Sequence, residues 1–207
     1  MVALYVGGKK DYEITESDLL WLGRAAQGEG GSAAAVIWSW LQRFALPSYR
    51  RSFPTLTLLV RAHSQAVNPR WMRGGDFCAA DSRHAGTAPC AEALLDRRER
   101  NATRDPSAFS PEVKAAIAAL RKGSLANPVP RAVDFASHEL VESYIRNHPG
   151  SRAVSVDGNW HVIYAESARW PDGYVALGPG SSWPIVLGSF AAGLAIFGGA
   201  WWIWRRV

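Results

Sequence analysis

Cysteine is scarce in this chain: 207 residues carry only two, Cys78 and Cys90. That number excludes a small scaffold stapled by several disulfides. The spacing of Asp76, Cys78, His84 and Cys90 is unlike the usual zinc ligand pairs, so neither a metal nor a cofactor is expected. Three readings of the cysteines stay open: a disulfide, a metal site, or two unpaired thiols. A disulfide closing this short loop would contribute about 3 kcal/mol in the chain-entropy model. An ordinary secretion signal is also lacking. Met1-Val2-Ala3-Leu4-Tyr5-Val6-Gly7-Gly8 is a short apolar stretch, and Lys9-Lys10 follows it instead of preceding it. Basic residues do not interleave with the ten tryptophans, which argues against nucleic acid as a partner.

Charge is absent altogether between Asp172 and Arg205. From Trp183 to Trp204 the run is long enough for a transmembrane helix, which needs about 20 residues. Trp183 at one end and Trp201, Trp202 and Trp204 at the other fit interfacial belts, with Arg205-Arg206 as the cytoplasmic-type flank. Ala191, Ala195 and Gly199 recur every four residues, a stripe that suits helix packing and is equally common in membrane helices at large. The expected organisation is a globular domain over 1–175, a linker over 176–182, a membrane helix over 183–204 and a basic tail over 205–207. The chain's net charge of +5 favours anionic partners such as cell-wall polymers or phospholipid headgroups.

One acidic residue stands out in the first part of the chain: Glu29, in the tetrad Gly28-Glu29-Gly30-Gly31. Thr15-Glu16-Ser17-Asp18 predicts a helix start, with Thr15 as cap and Asp18 reaching back. The stripe Leu19, Leu22, Ala26 brings Glu29 or Gly30 to the inner face one turn later. Ser32 can cap a second helix whose buried face reads Val36, Ile37, Trp40, Leu41 and Phe44, with Gln42 and Arg43 outward. A carboxyl desolvated at such a junction keeps its proton to higher pH and suits general-acid cleavage of a glycosidic bond. Flanking glycines would let a polymer approach the backbone. A solvent-exposed Glu in a glycine turn is the plain alternative.

The stretch from Leu22 to Gly31, followed by an alanine-rich helix ending Trp40-Leu41-Gln42-Arg43-Phe44, resembles lysozyme-like cell-wall hydrolases. It is most similar to their spore-cortex-lytic and phage-associated lytic transglycosylase branch. A second similar segment is Phe53-Pro54-Thr55-Leu56, then Ser64-Gln65-Ala66-Val67-Asn68-Pro69-Arg70-Trp71. The two cover about the first third of the chain. His63 stands where that family often has Phe. The resemblance implies a mainly α (α+β lysozyme-like) fold with a small β-hairpin. It implies Glu29 as the catalytic acid and a saccharide cleft lined by Ser64 and Gln65, with Asn68 in the same segment and Tyr164 as the aromatic residue near the acid. It also implies peptidoglycan glycan strands as substrate.

With the carboxy-terminal span, the resemblance implies a virion-associated lytic transglycosylase used in phage genome entry. Such an enzyme would be a single-pass protein of a virion's internal membrane or of the host inner membrane, its domain on the periplasmic side and other virion membrane proteins as partners. A muramidase acting in host lysis and a non-catalytic structural virion protein are the alternatives.

Elsewhere the chain is plainer. Trp71 to Pro89 has no period and reads as a long loop. Arg97-Arg98-Glu99-Arg100 and Arg104 read as the solvated end of a helix. Ser110-Pro111-Glu112 predicts a helix ending near Gly123, and Asn127-Pro128-Val129-Pro130 a connector. A helix from about Ser137 is expected to bury Leu140, Val141, Tyr144 and Ile145. Val154 to Tyr164 predicts a hairpin turned at Asp157-Gly158-Asn159. Asp76, Asp81, Glu139, Asp157 and Glu166 are the carboxylates offered as partners for Glu29, none in a marking motif. A single-acid mechanism is therefore expected.

Overall fold

A computed structural model of the protein describes residues 1–68, 97–136 and 138–180. The opening apolar stretch is a strand, β1 (Val2–Val6), which turns at Gly7 and Gly8 into β2 (Lys9–Ile14). Both glycines have positive φ, as a tight two-residue hairpin requires. Helices α1 (Glu16–Glu29), α2 (Ala33–Ala45), α3 (Pro47–Ser52) and α4 (Leu56–His63) follow. Residues 97–103 are helical (α5), and α6 (Pro111–Arg121) follows a 3-10 turn. Then come β3 (Asp134–Ala136), α7 (His138–Asn147), β4 (Arg152–Val156), β5 (Asn159–Ile163) and β6 (Val175–Pro179).

The strands form two three-stranded antiparallel sheets, ordered β2-β1-β6 and β3-β5-β4. The expected mainly α, lysozyme-like α+β fold with one small hairpin is thereby corrected to a mixed α/β architecture. The predicted hairpin is present as β4 and β5, turned at Asp157 and Gly158. Its third strand, β3, and the whole amino-terminal sheet were not expected. β6 pairs with β1 from Val2 opposite Pro179 to Val6 opposite Val175. The first residues of the expected 176–182 linker are therefore strand.

The membrane assignment is corrected as well. Among the described residues no helix is long and apolar enough to cross a membrane. The longest, α1, has 14 residues, against the roughly 20 that a bilayer demands. The expected span, Trp183 to Trp204, lies outside the described residues, and the single-pass placement in a virion or host membrane has no support within them.

The helix start at Thr15 is as predicted, with a complete capping box. Asp18 does more than cap. Its buried carboxylate accepts from Tyr12 Oη at 2.8 Å, Thr15 N at 2.9 Å and Thr15 Oγ1 at 2.7 Å on one oxygen. The other oxygen accepts from Thr57 N at 2.8 Å and Thr57 Oγ1 at 2.7 Å. One carboxylate thus satisfies amino-terminal donors of both α1 and α4, and fixes the angle between them.

Helix α2 is the axis of the core. Every residue except Ala34 is buried, because α1, α4, α6, β3 and β6 all pack on it. Trp40, Leu41 and Phe44 are among the largest fully buried side chains, each contributing about 1.5 to 3 kcal/mol relative to exposure. Gln42 and Arg43, expected to face outward, are buried too. Gln42 Nε2 donates to the carbonyls of Val129 and Ala132, at 3.0 and 2.8 Å, and its Oε1 accepts from Arg131 N at 2.6 Å. This amide pins the 127–132 connector across α2. In α7 only Val141 of the four expected core residues is buried. Leu140 is exposed, and Tyr144 and Ile145 are half-buried, because one face of the helix looks onto a cavity.

Candidate functional site

Glu29 closes α1, and Gly30 after it takes φ 74° and ψ −171°, an extended positive-φ conformation that glycine alone adopts readily and that ends the helix. Gly28 lets α1 approach the turn after α4. A Cβ at residue 28 would lie 2.5 Å from Ala66 Cβ and 2.6 Å from Asn101 Nδ2. That closeness brings Ser64 Oγ to 2.8 Å and Ala66 N to 3.4 Å of Glu29 Oε1, both donating. At Gly31 a Cβ would meet Asn159 Nδ2 at 2.5 Å, and Asn159 itself donates to the Gly30 carbonyl at 3.0 Å. Gly28 and Gly31 therefore accommodate the protein's own side chains, whereas Gly30 faces open space. The expected room for a polymer is found only at Gly30.

Glu29 lines a cavity of about 570 Å³ walled by α2, α3, α4, β3, β5 and α7. Trp40 and Arg43 enter from α2, Tyr49 from α3, His63 and Gln65 from the end of α4, and Asp134 from β3. Tyr144 and His148 face it from α7, and Tyr164 from the end of β5. The Arg43 guanidinium stacks 4.7 Å from the Trp40 ring centre and 5.7 Å from that of Tyr49. Its Nε donates to the Val133 carbonyl at 2.7 Å, and its terminal nitrogen pairs with Asp134 Oδ1. Tyr164 Oη donates to Asp134 Oδ2 at 2.7 Å, and the Tyr164 ring stacks on His148 at 4.5 Å.

Burial raises the Glu29 pKa above the usual carboxylate value. The hydrogen bonds from Ser64 and Ala66, and the charges of Arg43 and Arg98, work in the opposite direction without overcoming it. Burial also lowers Arg43, and it lowers His63 with Arg43 adding to the effect, so the imidazole is neutral at neutral pH. His63 packs edge-on against Tyr49 and Phe53. Burial pushes the Tyr164 phenol up to about 12. Behind the cavity wall, burial takes His161 down to about 4; its Nδ1 shares a 2.9 Å hydrogen bond with Ser39 Oγ.

Of the residues singled out from sequence, Glu29, Ser64, Gln65 and Tyr164 come together here. Ser64 meets the Glu29 carboxyl, and Tyr164 is engaged with Asp134. Asn68 is buried, its amide clamping the Ala62 carbonyl at 2.5 Å, and is not a lining residue. Asp157 and Glu166 are exposed and away from the cavity. Asp76, Cys78, Asp81, His84 and Cys90 lie outside the described residues, as does the side chain of Glu139. Arg98, read as part of a solvated face, is buried.

Asp134 and Arg43 were missed as site residues. Each is a lone charge inside an apolar run, Val133-Asp134-Phe135-Ala136 and Leu41-Gln42-Arg43-Phe44. That pattern is the signal that could have found them, since unpaired charges are rarely buried. Comparisons with protein-family models, with curated proteins and with solved structures returned no match.

Proposed function

We infer that the protein cleaves the glycosidic bond between N-acetylmuramic acid and N-acetylglucosamine in peptidoglycan, as a lytic transglycosylase. The observation that carries this reading is a carboxyl group, Glu29, held on the raised side of its pKa while facing a cavity of about 570 Å³. A carboxyl raised in this way keeps its proton to higher pH than a free one and can serve as a general acid. The substrate class comes from the resemblance to lysozyme-like cell-wall hydrolases.

Asp134 is the other carboxylate among the described lining residues, and both its oxygens are occupied by Arg43 and Tyr164. A carboxylate so engaged is a poor nucleophile or base, which favours one acid acting alone over a two-carboxylate pair. Protonated Glu29 gives its proton to the glycosidic oxygen, and the leaving sugar departs with the bonding electrons. The substrate's N-acetyl oxygen stabilises the positive anomeric carbon. Glu29, now a carboxylate, takes the proton of the muramyl 6-hydroxyl as that oxygen closes on the anomeric carbon. The product is a 1,6-anhydro sugar, and Glu29 is again protonated. Ser64 and Ala66 donate to the Glu29 oxygen in the charged interval.

The test is incubation of the full-length protein with purified peptidoglycan, followed by mass analysis of the released fragments. Fragments lighter by one water than hydrolysed ones support the reading; free reducing ends replace it with a muramidase. A folded protein that releases nothing overturns it in favour of a structural role. Glu29→Gln, nearly isosteric but unable to give the proton, should abolish release.

A further inference from the structure

A buried guanidinium and a raised carboxyl line the same cavity. A guanidinium near an acid catalyst favours the anion, and an uncompensated cation within about 6 Å lowers a carboxyl pKa by about 1 to 3 units. Arg43 and Glu29 line the same cavity, and burial holds Glu29 raised against the charge of Arg43. Arg43 cannot swing away: Trp40 and Tyr49 stack against it and the Val133 carbonyl holds Nε. Its counter-charge is Asp134, and the pair's side chains are only 6% and 11% exposed. Asp134 in turn is fixed by Tyr164 Oη on Oδ2 and by the Phe135 N–H, 2.8 Å from Oδ1.

We propose that Asp134 is a charge-balancing residue for this site: by holding and neutralising Arg43 in the cavity that Glu29 lines, it lets a cavity built around a buried guanidinium keep a proton donor. The proposal rests on the reading of Glu29 as the acid. The other groups around Glu29 do not take over this task. Arg98 from α5 adds a second cation, and His63 from α4 is neutral. Tyr49 from α3, Tyr144 and His148 from α7 and Tyr164 beyond β5 contribute phenols and an imidazole. Among the described lining residues Asp134 is the carboxylate besides Glu29, and it pairs with Arg43.

The experiment is a carboxyl-carbon NMR titration of Glu29 in the full chain, run beside the pH profile of peptidoglycan cleavage. Asp134→Asn should lower the Glu29 midpoint by about one unit or more and move the alkaline limb of cleavage the same way. Arg43→Met with Asp134→Asn, which leaves neither charge, should bring the midpoint back up. A midpoint unchanged or raised in Asp134→Asn overturns the proposal. Should that variant fail to fold, the double variant decides the matter against wild type: a midpoint close to wild type supports a neutral pair, and a midpoint higher by about one unit or more shows that Arg43 acts uncompensated and overturns the proposal. Wild-type protein that cleaves nothing overturns the enzymatic reading, while the titration still decides the role of Asp134.

Discussion

Ser64 Oγ lies 2.8 Å from Glu29 Oε1 and donates to it. The bond joins the end of α1 to the end of α4 and favours the carboxylate over the acid, so it opposes the burial that raises Glu29. Ser64→Ala removes that opposition. The Glu29 midpoint should rise further, by about one unit, and the alkaline limb of cleavage should move up with it. An NMR titration of Glu29 in wild type and variant checks this; a midpoint that falls contradicts the assignment of donor and acceptor.

Glu29 should also weaken the fold as pH rises. Its folded pKa lies above the unfolded value, so the folded state keeps a proton that the unfolded chain releases. The stability tied to this proton is fully present below the unfolded carboxyl pKa, and it is lost as pH rises from there through the folded one. Glu29→Gln has no proton to lose. Its Tm should match that of wild type at about pH 4 and exceed it by a margin that widens with pH until Glu29 ionises in the folded state. Melting curves for both proteins across pH test this, and a gap that does not widen with pH counts against a raised Glu29.

His161 predicts a slope of opposite sign. It is fully buried and its pKa is lowered from 6.5 to about 4. The unfolded chain takes up a proton first as pH falls, so stability present above 6.5 is lost progressively toward pH 4. His161→Gln, which keeps a polar partner for Ser39, should flatten this acid slope. Urea unfolding in a Glu29→Gln background separates it from the Glu29 contribution.

Asp18→Ala would leave two backbone N–H groups and three hydroxyls without their acceptor. The expected loss is about 3 kcal/mol, or a Tm lower by about 6 to 12 °C. Asp18→Asn, which retains one acceptor oxygen, should fall between. Thermal unfolding of both variants measures it, and a loss confined to α1 capping would come out near 1 kcal/mol.

Local signals in the chain carried much of the helical structure. Thr15 and Asp18, Ser32, and Ser110-Pro111 each start a helix where expected, because capping depends on residues a few positions apart. Asp157-Gly158 turns the predicted hairpin for the same reason. Glu29 was legible as a candidate acid because its helix ends in glycines within a recognisable segment.

The partners of these groups were decided elsewhere. β1 finds β6 across 168 intervening residues, and short strands such as Lys9–Ile14 lack a clean alternation of buried and exposed positions. Helical periodicity in α2 reported an apolar stripe, but the surrounding elements bury its polar side as well. Gln42 and Arg43 thereby changed from surface residues into a connector's anchor and a cavity wall. The sequence alone determined where helices begin, where the chain turns and which carboxyl stands between glycines, because these depend on neighbours along the backbone. Only the tertiary structure decided that Arg43 meets Asp134, that Ser64 meets Glu29 and that the glycines serve packing, because burial and charge pairing depend on groups that folding brings together from distant parts of the chain.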